Sequence, residues 1–92
     1  MFEIKYGNKF KKSYKRIQSS GRFRLDIFET IYQLLRDGKE IGNQYHDHAL
    51  KGDFIGFREC HISGDCLLLY EINMTEKYVR LMNIGNHANL FE

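Results

Sequence analysis

The chain has 92 residues, of which 14 are basic and 12 acidic, so it has room for one domain spanning residues 1–92 and for no second cofactor-binding unit. No apolar run approaches the ~20 residues that a membrane helix needs, and the first residues lack the apolar segment of a signal peptide. We therefore expect a cytoplasmic protein that does not enter a membrane.

Positive charge is concentrated early in the chain. Residues 5–24 contain eight basic side chains and no acid, a charge of +8. Residues 25–92 contain six basic and eleven acidic side chains, a charge of −5. This asymmetry indicates a polyanionic partner that meets one end of the molecule.

The first part of the chain predicts one strand and two helices. Residues 2–6 alternate as a strand does, and Asn8 is a candidate N-cap for a helix that runs to about Gln18. A second helix is predicted over residues 23–37, followed by Gly38 in the helix-ending position. The short turn between the helices favours an antiparallel helical hairpin.

The second part predicts a polar loop and three strands. The loop covers residues 39–53, and the strands cover residues 54–62, 66–72 and 78–84. The resulting order is β-α-α-β-β-β, an α+β domain with an antiparallel sheet. The helical hairpin is predicted to cover one sheet face and to leave the other available for a ligand.

A tight turn at residues 63–64 sets the predicted register of the following hairpin. Symmetric closure there pairs His61 with Cys66 and puts Cys60 on the opposite face. Alternation also points Arg58 away from His61, unless a bulge rotates it. The two cysteines are then small apolar residues rather than a disulfide.

All four histidines lie in the second half of the chain, at His46, His48, His61 and His87. Histidine gives and takes protons near neutral pH, since its unperturbed pKa is about 6.5. The clustering suggests an acid–base enzyme. The alternative for each histidine is a solvated or hydrogen-bonded side chain with no chemical role.

Four segments in the second half resemble a known family. They are residues 47–52 (DHALKG), 56–62 (GFRECHI), 65–70 (DCLLLY) and 84–91 (IGNHANLF). In this order and spacing they resemble the YafQ-type toxins of the RelE/ParE superfamily, which belong to bacterial type II toxin–antitoxin pairs. The resemblance implies a RelE-like fold and an endoribonuclease, or mRNA interferase, that cleaves messenger RNA on the ribosome. It also implies a neutralising antitoxin whose C-terminal segment wraps the toxin and through which operator DNA is bound.

The resemblance also implies roles for individual residues. His48, His61, Asp65 and His87 match the family's catalytic positions, and Phe91 matches an aromatic that orients the substrate. His46 matches no family position, so we expect it to be solvent-exposed. The chain departs from the family pattern at Ala49, where proline is common, and at Cys66, where a tryptophan occurs.

Metal-free cleavage of RNA requires one group to take the proton of the 2′-OH and another to protonate the leaving 5′-oxygen. We expect His87 to be one of this pair and His48 or Asp65 the other. His61 would orient the substrate or stabilise charge, and Arg58 or Lys51 would add positive charge at the phosphate. Which group is the acid and which the base stays open.

Several residues have ordinary alternatives. Asp65 is also a common turn residue, Arg58 a possible structural ion-pair partner, and Phe91 a possible core anchor. The arrangement of His46, His48, the two cysteines and His61 matches no zinc-site spacing, so no metal or other cofactor is expected.

The basic segment has two interpretations. Lys11, Lys12 and Lys15 would hold RNA phosphates, most simply those of ribosomal RNA near the decoding site. Alternatively they form a solvated helix face. Two further alternatives for the whole chain are a non-catalytic ParE-like toxin and an RNA- or protein-binding module with inert histidines.

Overall fold

The computed structural model describes residues 1–91. Its helices and strands follow the predicted order, with a short fifth strand and a C-terminal helix in addition. They are β1 (Glu3–Tyr6), α1 (Asn8–Gln18), α2 (Leu25–Arg36), β2 (His48–Ala49), β3 (Arg58–Ser63), β4 (Cys66–Asn73), β5 (Tyr78–Gly85) and α3 (His87–Phe91). Single 3-10 turns at Asn43–Tyr45 and Gly52–Phe54 flank β2, so the predicted loop is partly ordered as secondary structure.

The five strands form one sheet in the order β1-β5-β4-β3-β2. β1 runs parallel to β5, and the other neighbours are antiparallel. The prediction of a wholly antiparallel sheet is therefore wrong at the β1 edge. The parallel pair is possible because the helical hairpin and three strands separate β1 from β5 in the chain, which supplies the long connection that parallel strands need.

The start of α1 also differs from the prediction. Gly7 precedes the helix, and Asn8 is its first residue, with no side-chain hydrogen bond capping the end. The N–H of Gly7 donates to the carbonyl of Leu81 at 2.9 Å. The pairing of β1 with β5 thus continues up to the residue before the helix.

The main core lies between the helices and one face of the sheet. Phe10 of α1 and Phe28 of α2 stack with ring centroids 6.3 Å apart. The fully buried side chains of this core come mostly from the sheet and α2: Ile31, Cys60, Ile62, Leu68, Tyr70, Val79, Leu81 and Ile84. The residues that α2 buries in this core are Phe28, Ile31 and Leu35.

A second, smaller core lies on the opposite sheet face. Leu67, Leu69 and Leu90 are buried there, and Phe57 and Phe91 pack against them. Part of the face that was predicted to be available for a ligand is therefore covered. α3 and the segment before β3 cover part of it, because alternate residues of the apolar strand β4 point to this side.

The β3–β4 hairpin has a different register from the predicted one. His61 pairs with Leu67 and Cys60 with Leu68, and a bulge separates this ladder from the Ser63–Cys66 pair. The bulge lets Cys66 pack against the helical core that contains Cys60. The prediction that the cysteines lie on opposite faces is wrong. Both are free thiols, and burial raises the pKa of Cys66.

Among residues 1–91, no helix is both long and apolar enough to span a membrane.

Candidate active site

A buried carboxylate lies between two histidines where β2 pairs with β3. His48 is directly opposite Glu59 in the ladder. The Nε2 atoms of His48 and His61 lie 3.6 and 3.8 Å from Oε1 of Glu59. Only 8% of the Glu59 side chain is exposed. Glu59 and His61 share a face because they are two residues apart in β3, and the pairing with β2 adds His48.

The orientation of His48 is defined by a backbone contact. Its Nδ1 lies 2.7 Å from the carbonyl oxygen of His46. A carbonyl only accepts hydrogen bonds, so Nδ1 carries the proton. In the neutral ring Nε2 is then a proton acceptor, and this is the atom that faces Glu59.

His46 is exposed, as predicted from the sequence. It is nevertheless part of the cluster, since its ring centroid lies 5.0 Å from that of His61. Its backbone has a left-handed φ of 54°, and this bend precedes the residues that carry the site. The backbone of His46 therefore sets the bend before His48, and its ring packs against His61.

An ion pair on the other sheet face anchors the same loop. Nη2 of Arg58 donates to Oδ2 of Asp47 at 2.6 Å, and the Tyr70 hydroxyl donates to Oδ1 of the same carboxylate. The hydrogen bond to Asp47 raises the pKa of Arg58, and burial raises the pKa of Tyr70. Arg58 points away from His61 as predicted. This placement favours its structural alternative over a role at the reacting phosphate.

The C-terminal helix brings His87 and Phe91 to the face that carries Glu59. Leu90 is buried and anchors α3 on the second core, whereas His87 is exposed. The rings of His87 and Phe91 have centroids 4.8 Å apart, and Phe91 meets Phe54 edge-on at 4.8 Å. Phe91 thus contacts the apolar cluster and His87 at the same time.

Asp65 is exposed in the β3–β4 turn. It lines a cavity of about 220 Å³ together with Asn86 and Asn89, which flank His87. Within residues 1–91, no hydrogen bond or ion pair joins Asp65 or His87 to His48 or His61. Of the predicted catalytic residues, His48 and His61 form one group around Glu59, whereas Asp65 lies in the β3–β4 turn and His87 on α3.

The predicted lysines lie outside these groups. Lys51 is exposed just before the Gly52–Phe54 turn. Lys11, Lys12 and Lys15 are exposed on α1, which packs on the helical side of the sheet. Lys11 and Lys15 border a groove of about 520 Å³ between α1 and α2. The basic surface and the histidine cluster are thus on different sides of the molecule.

No group of three or more histidine, cysteine or acidic side chains in the described part of the chain is arranged to hold a metal ion.

Sequence reasoning missed Glu59 and Asp47. A signal for Glu59 was present, because strand alternation puts it on the same face as His61. No comparable signal identifies Asp47, whose partners Arg58 and Tyr70 come from two other strands.

Comparisons with known proteins connect this chain and its fold to small bacterial toxins. A metal-bound toxin from Helicobacter pylori superposes with a TM-score of 0.86 and is 35% identical, covering 99% of this chain and 100% of that one. The toxin in the Escherichia coli DinJ–YafQ complex superposes with a TM-score of 0.83 and 27% identity, with full coverage of both chains. The mRNA interferase toxin YafQ of Escherichia coli K12 is 28% identical over 89 residues, which is 97% of this chain and 95% of the relative.

The family model described as bacterial toxin of type II toxin-antitoxin system, YafQ, matches residues 2–92. The chain belongs to this family.

Proposed function

We propose that this toxin is an endoribonuclease that cleaves mRNA on the ribosome by acid–base chemistry of its own side chains. The observation that carries the proposal is the buried Glu59 between His48 and His61, on the sheet face to which α3 brings His87. The Escherichia coli relative is named as an mRNA interferase, which agrees with this chemistry.

The reaction needs a proton acceptor at the 2′-OH of the nucleotide before the cleaved bond. Nε2 of His48 suits this step, because Nδ1 already donates to the His46 carbonyl. Glu59 lies beside Nε2 and stabilises the imidazolium that forms. The alkoxide attacks the adjacent phosphorus, and the bond from phosphorus to the 5′-oxygen breaks.

The leaving 5′-oxygen needs a proton from the other side of the phosphate. His87 is exposed on α3 and supplies it, with the Phe91 ring holding the imidazole. His61 contributes positive charge to the phosphorane when protonated. The products are a 2′,3′-cyclic phosphate and a 5′-hydroxyl end.

The Helicobacter pylori relative is described as a metal-bound toxin. In this chain the described side chains offer no group of three or more metal ligands. We therefore propose that both proton transfers run through side chains without a metal.

The partner we propose is an antitoxin, as in the DinJ–YafQ complex. Its binding would silence the toxin by covering the site or the surface that meets the ribosome. Association of the toxin with the ribosome would use the basic face of α1.

The test is a map of mRNA 5′ ends after induction of the toxin in cells. Wild type is expected to produce new 5′-hydroxyl ends within translated messages. His87→Ala should reduce their frequency by about 100-fold or more, the contribution of a general acid. Lys39→Ala, an exposed change outside the basic segment, is the control and should cleave normally.

Two further measurements distinguish this proposal from a metal-dependent reaction and from a non-catalytic toxin. Toxin dialysed against EDTA before addition to a translation extract should retain its activity, and loss that zinc or copper restores would contradict the metal-free reaction. Growth arrest that persists in His87→Ala without new 5′ ends would favour a ParE-like binding toxin.

A further inference from the structure

The cavity beside α3 has the features of a binding site that the proposed proton transfers do not use. It lies between the α1–α2 connection, the β3–β4 turn and the start of α3. Its volume of about 220 Å³ is below the ~300–1,000 Å³ of pockets that enclose drug-sized ligands. The size suits a single planar ring system.

One wall of the cavity is apolar and firmly held. Phe23 contributes an aromatic ring and Cys66 a half-buried thiol. The Phe23 ring packs edge-on against Tyr14 at 5.5 Å and tilted against Phe28 at 5.7 Å. An aromatic side chain fixed in this way provides a surface on which a base can stack.

The other wall carries two side-chain amides that can form hydrogen bonds, those of Asn86 and Asn89. Oδ1 of Asn86 accepts the backbone N–H of Asn89 at 2.8 Å, which leaves the amide NH2 of Asn86 as a donor. The Asn89 side chain lies against Gly85, where an added Cβ would come within 3.3 Å of Oδ1. Gly85 has a φ of 153°, so the backbone here makes room for Asn89.

A cation completes the lining. Arg22 reaches the cavity from the α1–α2 connection, and it makes no ion pair with any residue in the 1–91 range. Asp65 lines the same cavity. The site therefore offers a guanidinium, a carboxylate and two amides within one small volume.

We propose that this cavity binds a nucleobase of the mRNA next to the cleaved bond, and that Arg22 and Asn89 read its edge. Arginine and asparagine side chains form paired hydrogen bonds with purine edges, and RNA bases outside a helix are recognised by stacking plus such contacts. Asn86 directly precedes His87 and Asn89 follows it by two residues, so the cavity shares α3 with the proposed acid. The inference rests on the proposed cleavage of mRNA and adds its base preference.

The experiment compares the base composition around mapped 5′ ends in wild type and four variants. Arg22→Gln and Asn89→Ala remove the proposed contacts from two separate elements. Arg24→Gln, whose side chain pairs with Asp26 on the exposed start of α2, is the control for removal of a positive charge. Asn8→Ala, at an exposed position of α1, is the control for removal of an amide.

Wild type is expected to favour one base at a fixed position beside the cut. The two cavity variants should weaken that preference about tenfold at this position while cleavage continues elsewhere in the messages. Both controls should keep the wild-type preference. Circular dichroism confirms that each variant is folded.

The proposed base site is overturned if wild type shows no preference beside the cut, or if folded cavity variants keep it. It is also overturned if they lose cleavage equally at all sequences, since the residues would then support the reaction rather than select a base. Absence of any new ends in wild type would instead refute the proposed nuclease activity.

Discussion

The Glu59 carboxylate is buried, where an unpaired negative charge would destabilise the fold. With 8% of its side chain exposed, its charge is tolerable only beside groups that can carry positive charge. The two imidazoles at 3.6 and 3.8 Å are those groups. The arrangement therefore links the position of the carboxylate to the roles that we propose for His48 and His61.

Replacing this carboxylate by its amide tests the link. Glu59→Gln keeps the shape of the side chain and removes its charge, so the fold should persist while cleavage falls about 10–100-fold, the loss typical when the carboxylate partner of a metal-bound histidine is removed. The measurement is the rate of mRNA cleavage in a translation extract, together with the pH dependence of that rate. Glu76→Gln, in the exposed β4–β5 turn, is the control. An unaltered rate and pH profile for Glu59→Gln would show that the carboxylate has only a packing role.

At the scale of elements, the loop before β3 is held from both sheet faces. On one face His48 contacts Glu59, and on the other Asp47 binds Arg58 and Tyr70. Asp47 directly precedes β2 and His48 begins it, and their side chains contact residues on opposite faces of β3. The contacts of one residue therefore help to position the other. The Asp47 contacts therefore keep His48, the proposed base, in register with β3.

We predict that Asp47→Ala destabilises the fold by about 1–3 kcal/mol. The change leaves the Tyr70 hydroxyl and the Arg58 guanidinium without their partner, and the partial exposure of Arg58 limits the cost. Urea denaturation measures this effect, and cleavage should fall because His48 loses its anchor.

Asp53→Ala removes an exposed carboxylate from the same connection and serves as the control for Asp47→Ala. Its free energy of unfolding should stay within about 0.5 kcal/mol of wild type. Equal stability of both variants would refute the anchoring role of Asp47.

At the scale of the molecule, the basic surface and the candidate active site lie on different sides. The lysines of α1 lie on the helical side, and the histidine cluster lies on the opposite face of the sheet. A ribosome-bound toxin could hold ribosomal RNA with one surface while the other faces the message. The two surfaces should then be separable by mutation.

Replacing Lys11, Lys12 and Lys15 by Gln tests this separation. Ribosome association should weaken, and the slope of log affinity against log salt should flatten by about 0.7–0.9 for each phosphate that is no longer neutralised. Sedimentation with ribosomes at several salt concentrations measures both quantities. Lys39→Gln combined with Lys77→Gln removes exposed charge outside the basic segment and should change the slope less. An unchanged slope in the triple variant would show that these lysines form a solvated helix face and do not bind RNA.

The sequence was sufficient for those features that depend on local pattern. Apolar periodicity located α1, α2, β4 and β5 within a few residues, and alternation in β3 put Arg58 and His61 on opposite faces. The motifs in the second half of the chain identified the family. These signals are readable because each depends on neighbours a few residues apart.

Tertiary structure decided the contacts between distant segments. The parallel pairing of β1 with β5, the bulge that moves Cys66 onto the helical core, and the meeting of Glu59 with His48 all join segments whose local patterns do not specify their partners. The cavity formed by Arg22, Asp65 and Asn89 likewise draws on three separate elements. The sequence alone named the histidines, but only the folded sheet supplied the carboxylate between two of them, because strand pairing is settled by packing of the whole core.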